Sequence, residues 1–329
     1  MNRLNRFSKQ FAAFTSICAI ALSTAIPQAQ AKPSARPAVS YERAQKELPK
    51  NMYVLYRVID RIARANGLDE RPWRIAIAPK YDINAFSTDV NLVVVYGGIL
   101  DQLAGDSSAL ACVIGHEMGH SVKKHIAVGE AQKAALIEQA KKEAEAEVNQ
   151  EVSSTNSTVT TNTVVGGLLG IFGGRAGDMG NSALQGASQN RVRVAQQRVQ
   201  EITEKKKQDL ENRIAESNRK QEFEADETGY LYAARAGFEP DGCLRAMAVL
   251  ARTPGAESDT DHPAVPKRIE ALKQLMVKYP SAPLVAEGKA KIAATRPLTY
   301  DLSDDRVSLR INSRFGGSSQ SDLDRLFGK

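Results

Sequence analysis

With 329 residues, 42% of them hydrophobic and 25% charged, the chain has room for one or two domains with a sizeable core. The net charge of +6 is modest and spread along the chain, acids among bases. No one-sign patch with interleaved aromatics occurs, so no nucleic-acid partner is expected, while contact with an anionic membrane surface stays open.

The N-terminus carries Arg3, Arg6 and Lys9, then a mostly apolar run from Phe11 to Ala25, then Ala29-Gln30-Ala31. That order is the order of a secretory signal peptide over 1–31, cleaved near Ala31-Lys32. Thr15, Ser16, Ser23 and Thr24 break the apolar run, which is also short for a membrane span. Cys18 invites lipid attachment, but Ile17 before it is not a small residue. A soluble, exported protein is therefore expected. Export leaves Cys112 and Cys243, which could pair in an oxidising compartment, although a small buried hydrophobe is the favoured reading for each.

Residues 38–70 read as one helix, with Val54, Leu55, Val58, Ile59, Ile62 and Ala63 at helical spacing and Gly67 ending the pattern. Trp73–Ile77 alternates like a half-buried strand, and Leu92-Val93-Val94-Val95-Tyr96 is a β-branched strand closed by Gly97-Gly98. A short helix over Ile99–Leu103 and a break at Gly105-Asp106 lead into the next element. Strands followed by helices make an α+β arrangement.

That next element carries His116-Glu117-Met118-Gly119-His120 behind an apolar run from Ala109 to Ile114. On a helix each residue advances by about 100°, so His116 and His120 share one face a turn apart. Both imidazoles can then meet one metal ion, and Glu117 projects beside them as a general base for water. A core helix that happens to hold two histidines is the plainer reading. It is disfavoured because the chain has only four histidines and two of them flank a Glu at ligand spacing.

Residues 129–216 contain two charged, amphipathic stretches, Glu130–Glu151 and Arg191–Lys220, around a Gly/Ser/Thr-rich middle with the apolar run Val164–Phe172. They are expected to form a helical hairpin whose 152–190 tip is flexible or touches a membrane or partner.

A zinc held by two histidines needs a third protein ligand and an open position. His125 falls about 180° round a continuous helix from His116, which argues against it. Glu222 is favoured, with Asp226 one turn later as hydrogen-bond partner of a ligand histidine. Glu224 is about 200° from that face and reads as a surface acid. Beyond it, Gly237-Phe238-Glu239-Pro240 ends the helix, and Leu244–Ala251 and Lys267–Val277 read as further helices. Arg306–Ile311 alternates as a strand, and Leu323–Phe327 is a short amphipathic end.

His116-Glu117-x-x-His120, then Arg219-x-x-Glu222-x-x-Ala225-Asp226-x-x-Gly229, then His262-Pro263-x-x-x-x-Arg268 resembles the HtpX and CAAX prenyl protease family of zinc metallopeptidases. Asn84-Ala85-Phe86 before a strand fits as well. With an export signal and no membrane spans, the chain is most similar to the small periplasmic members. The resemblance implies a zincin-like domain, mostly α with a small β-sheet, over 32–282, interrupted by the 129–216 hairpin and followed by a C-terminal extension over 283–329. It implies one Zn2+ per chain on His116, His120 and Glu222, with Glu117 as general base. It places His262 and Arg268 near the active site. Either could donate to the oxyanion, or His262 could gate the metal's open position. The strand Leu92-Val93-Val94-Val95 is expected to be an edge that pairs with an extended substrate. Unfolded or misassembled envelope proteins are the implied substrates. A chaperone-like client-binding factor with latent proteolysis is the competing class, and the intact Glu117 speaks against it.

Overall fold

The computed structural model describes residues 41–125, 130–154, 185–258, 262–316 and 327–328. The expected signal peptide, residues 155–184 of the expected hairpin tip, and 323–326 of the terminal segment lie outside the described residues.

Helices Tyr41–Glu47 (α1) and Lys50–Asn66 (α2) replace the single helix expected over 38–70. Pro49 lacks a backbone N–H and disfavours helical geometry at Leu48, so the chain breaks there and restarts. α2 buries Met52, Leu55, Tyr56, Ile59, Ile62 and Ala63 fully and ends on Gly67 in the left-handed region (φ 71°).

Strands Trp73–Ala78 (β1), Ala85–Ser87 (β2) and Leu92–Tyr96 (β3) follow, then helices Gly97–Gln102 (α3) and Ser107–Lys123 (α4). Glu130–Ser154 (α5) and Gln185–Arg235 (α6) come next. The chain closes with Gly242–Leu250 (α7), Val265–Lys278 (α8), Ser281–Ala293 (α9), Tyr300–Leu302 (β4) and Ser308–Ile311 (β5). The fold is α+β and mostly α, with one five-stranded sheet ordered β2-β3-β1-β5-β4.

β1 pairs parallel with β3, and every other pairing is antiparallel. Paired residues share a face, so the register Ile75↔Val93 and Ile75↔Leu309 stacks the apolar side chains of three strands on one side. Those residues, with Trp73, Val95 and Ile311, form one core with the apolar faces of α2 and α4.

Residues 283–316 are part of this body. β5 lies between β1 and β4, with Leu309 and Ile311 fully buried. A buried ion pair on α2 reaches the same segment. Asp60 accepts hydrogen bonds from Tyr41 and from the Leu298 amide, and Arg64 donates to the carbonyls of Ile292 and Thr295. Removing the segment would leave those groups unpaired in the core, which is costly.

α5 and α6 pack as an arm through Ala144 and Val148 against Ala195, Val199 and Ile202. Exposed pairs such as Lys206–Glu143 add little to its stability. Small residues at the seam let the helices approach closely. α6 then runs on from the arm into the body, 51 residues without interruption.

Candidate metal centre and catalytic cleft

α4 starts at Asp106, whose carboxylate accepts the Ala109 amide as an N-cap. Its apolar face is locked into the core by Ala109, Leu110, Ile114 and Met118. His116 and His120 thus sit on a rigid helix, with ring centroids 4.7 Å apart.

α6 crosses α4 at two glycines. A Cβ on Gly115 would lie 2.9 Å from the Gly229 carbonyl oxygen, and one on Gly229 would lie 2.7 Å from the His116 amide nitrogen. Only hydrogen fits between the two backbones, and this contact brings Glu222 and Asp226 to the histidines. Gly229→Ala should therefore push the helices apart and lower the stability by about 1–3 kcal/mol. Chemical denaturation of the purified variant measures it.

The Nε2 atoms of His116 and His120 are 3.1 Å apart, and the Glu222 carboxylate lies 3.6 Å from the first and 3.4 Å from the second. These three side chains are a group whose donor atoms could hold a metal ion. One ligand atom from each of the three lies within 4.8 Å of the others, close enough for all to reach a single ion. The other ring nitrogens are occupied. His116 Nδ1 is 2.9 Å from Asp226, and His120 Nδ1 is 3.2 Å from Nδ1 of His125. The donor set therefore fits a metal.

Asp226 is gripped at both carboxylate oxygens by Arg268, Nε and Nη2 each at 2.7 Å, while Nη1 lies 3.1 Å from Glu222. Burial alone would raise Asp226, but the Arg268 charge and its hydrogen bonds, with His116, hold the carboxyl below the usual range. Burial likewise opposes ionisation of Glu222, and contacts from His120, His262, His116 and Arg268 outweigh it. Burial also opposes charge on His116, where Asp226 and Glu222 prevail and raise the imidazole.

All three guanidinium nitrogens of Arg268 face carboxylates, and the residue is buried. The expectation that Arg268 could be an oxyanion donor is thereby corrected: it is a clamp on Asp226 and Glu222. His262 lies with Nδ1 3.2 Å from Glu222 and its side chain 71% exposed. Glu117, buried, lines the same cleft of roughly 600 Å³ as the histidines.

Two further expectations change. Leu92–Val95 is not an edge. Its strand is held by β1 on one side and β2 on the other, so its backbone is already paired. The edge on the cleft side is β2, and Asn84, Ala85, Phe86 and Ser87 line the cleft. A run of β-branched residues marks a strand, but its place in the sheet depends on partners far along the chain.

Glu224 is also more than a surface acid. Its carboxylate lies 3.2 Å from His125 Nε2. Burial and the neighbouring His120 keep the His125 imidazole below its ordinary range. The estimate of 180° for His125 assumed a continuous helix, whereas α4 stops at Lys123 and the chain turns back. Finally, Cys112 on α4 and Cys243 on α7 are both buried but are not merely small hydrophobes: they form a disulfide, with Cα atoms 5.1 Å apart. It ties the histidine helix to a wall of the cleft.

The sequence profile of peptidase family M48 matches residues 49–276. The chain belongs to this family. Membership in M48, a metal-dependent family, accords with the His116-His120-Glu222 group and with the HtpX-type resemblance. The chain is 24% identical over 217 residues to metalloprotease LoiP of Escherichia coli K12, covering 65% of this chain and 67% of that one. It is 34% identical over 67 residues to mitochondrial metalloendopeptidase OMA1 of Arabidopsis thaliana, covering 20% of this chain and only 14% of the plant protein. No solved structure matches. Among the described residues, no helix of this M48 chain is long and apolar enough to cross a membrane.

Proposed function

We propose that the protein is an exported zinc endopeptidase that cleaves unfolded or misassembled cell-envelope proteins. The convergence of His116 Nε2, His120 Nε2 and the Glu222 carboxylate beside Glu117, in a cleft bordered by a sheet edge, carries this reading. Two imidazoles and one carboxylate are a donor set suited to catalytic zinc, which when bound polarises water and the scissile carbonyl.

The chain's own residues then do the rest. His116, His120 and Glu222 hold the ion, and Asp226 fixes the His116 ring by accepting a hydrogen bond from its Nδ1–H. Glu117 takes a proton from the attacking water and returns it to the leaving amine. An extended substrate pairs with β2, the edge strand whose residues line the cleft, rather than with β3. His262, exposed beside Glu222, can donate to the oxyanion or gate the open position. The signal-like N-terminus and a disulfide, which forms in oxidising compartments, support export. The metalloprotease name of LoiP supports the activity.

Purified protein should carry about one zinc per chain and degrade an unfolded casein-like substrate. Glu222→Ala should lose both the zinc and the cleavage. Zinc retained at parent level in this variant would overturn the ligand set.

A further inference from the structure

The two metal-site histidines are anchored differently. His116 Nδ1 meets a carboxylate, Asp226, whereas His120 Nδ1 meets another imidazole. Helix α4 ends with Lys124 in the left-handed region (φ 56°, ψ 45°), a conformation that disfavours a residue with a Cβ. The following amide, of His125, donates back to the His120 carbonyl at 3.0 Å, so the chain folds under its own last turn. The His125 side chain is thereby carried against His120, ring centroids 5.1 Å apart and planes at 78°, and is only 6% exposed. Its far nitrogen, Nε2, reaches Glu224 of α6 at 3.2 Å. Glu224 lies two residues beyond Glu222, on a different side of the helix.

We propose that His125 and Glu224 form a positioning pair that fixes the ring and tautomer of His120 for metal binding. The direction of the protons follows from the partners. An ionised Glu224 can only accept, so neutral His125 donates Nε2–H to it and leaves a lone pair on Nδ1. That lone pair accepts a hydrogen bond from His120 Nδ1–H, and His120, carrying its proton on Nδ1, keeps Nε2 bare. His120 Nε2 is the atom that faces His116 Nε2 and Glu222. His125 Nδ1 is turned to the opposite side of the His120 ring, so His125 acts through His120 and is not itself a donor to the site. The outer end of the relay is Glu224, 41% exposed and also within 3.8 Å of Lys220.

This inference rests on the zinc reading above. It is tested on the full-length purified protein by competition with a chromophoric chelator, using zinc as the probe. His125→Phe keeps the ring's bulk without its nitrogens. It should weaken zinc binding about 10- to 100-fold, the range for loss of an outer hydrogen-bond partner. His125→Gln, whose amide can accept from His120 and donate to Glu224, should recover most of that loss. Glu224→Ala, at a partly exposed position where misfolding is not at stake, should weaken binding in the same direction. Ring-nitrogen NMR of the metal-free protein adds a readout that packing alone would not move. His120 should carry its proton on Nδ1 in the parent and lose that preference in His125→Phe. Equal zinc affinity in His125→Phe and the parent would overturn the proposal while the zinc reading stands, as would a Gln variant no better than Phe. A parent that binds no zinc would overturn both.

Discussion

Glu117→Gln keeps the metal and loses peptide cleavage. Glu117 lies outside the group of donors that could hold an ion, so its carboxylate is free to handle protons. It is buried on the rigid helix that carries both histidines and lines their cleft. Glutamine matches its shape, leaves the α4 packing intact and cannot take a proton from water. Losing a positioned general base lowers kcat/KM by about 10²- to 10⁴-fold. The expected result is a variant with parent zinc content and stability whose turnover of a casein-like substrate falls by that factor. Turnover within a few-fold of the parent would assign the proton transfer to another group.

The parts of the site that were legible in the sequence are those governed by one helix. His116 and His120 are related by a single turn, and Glu222 and Asp226 by another, so helical phase alone places each pair on a face. The resemblance supplied Arg268, and the structure then changed what it does, because only three-dimensional packing shows that its nitrogens are all engaged. His125 was misread for a local reason. Lys124 carries no glycine-type stop signal, yet adopts the left-handed conformation that ends α4. Without that stop, phase arithmetic sends His125 to the wrong side and leaves Glu224 without a partner. The edge of the sheet was hidden for a non-local reason. Leu92–Tyr96 reads as a strand from its own residues, but β1 and β2 decide that it is interior. The three-residue β2 is too short to give a pattern of its own. The C-terminal strand was visible from its alternation, while its insertion beside β1, more than two hundred residues away, was not. The Leu48–Pro49 break was readable from Pro49 and was overrun by the apolar periodicity on either side.

Arg268→Leu is expected to have the largest effect on the fold, and pH separates its cause from simple loss of packing. Arg268, Asp226 and Glu222 are all buried, and the guanidinium is within 3.1 Å of both carboxylates. Leucine fills part of the space but strands two acids in a region where burial disfavours their charge. Removing one partner of such a buried pair costs about 3–5 kcal/mol. In the parent, both carboxyls are held below their unfolded values. The stability they contribute is therefore present above pH 4 or so, near the unfolded carboxyl pKa, and is lost as pH falls through the depressed folded values. In the variant, burial acts unopposed by Arg268, so the carboxyls protonate more readily and protonation relieves the stranded charge. The gap between parent and variant should thus be widest near pH 7 and narrow as the pH is lowered toward about 4. Urea denaturation of both proteins after metal removal, repeated at several pH values, measures the gap without a contribution from bound ion. Asp226 also orients His116, so the variant should bind zinc more weakly than the parent at neutral pH. A gap of constant size across that range would mean that Arg268 matters through its packed alkyl stem, and the clamp on Asp226 and Glu222 would have to be abandoned.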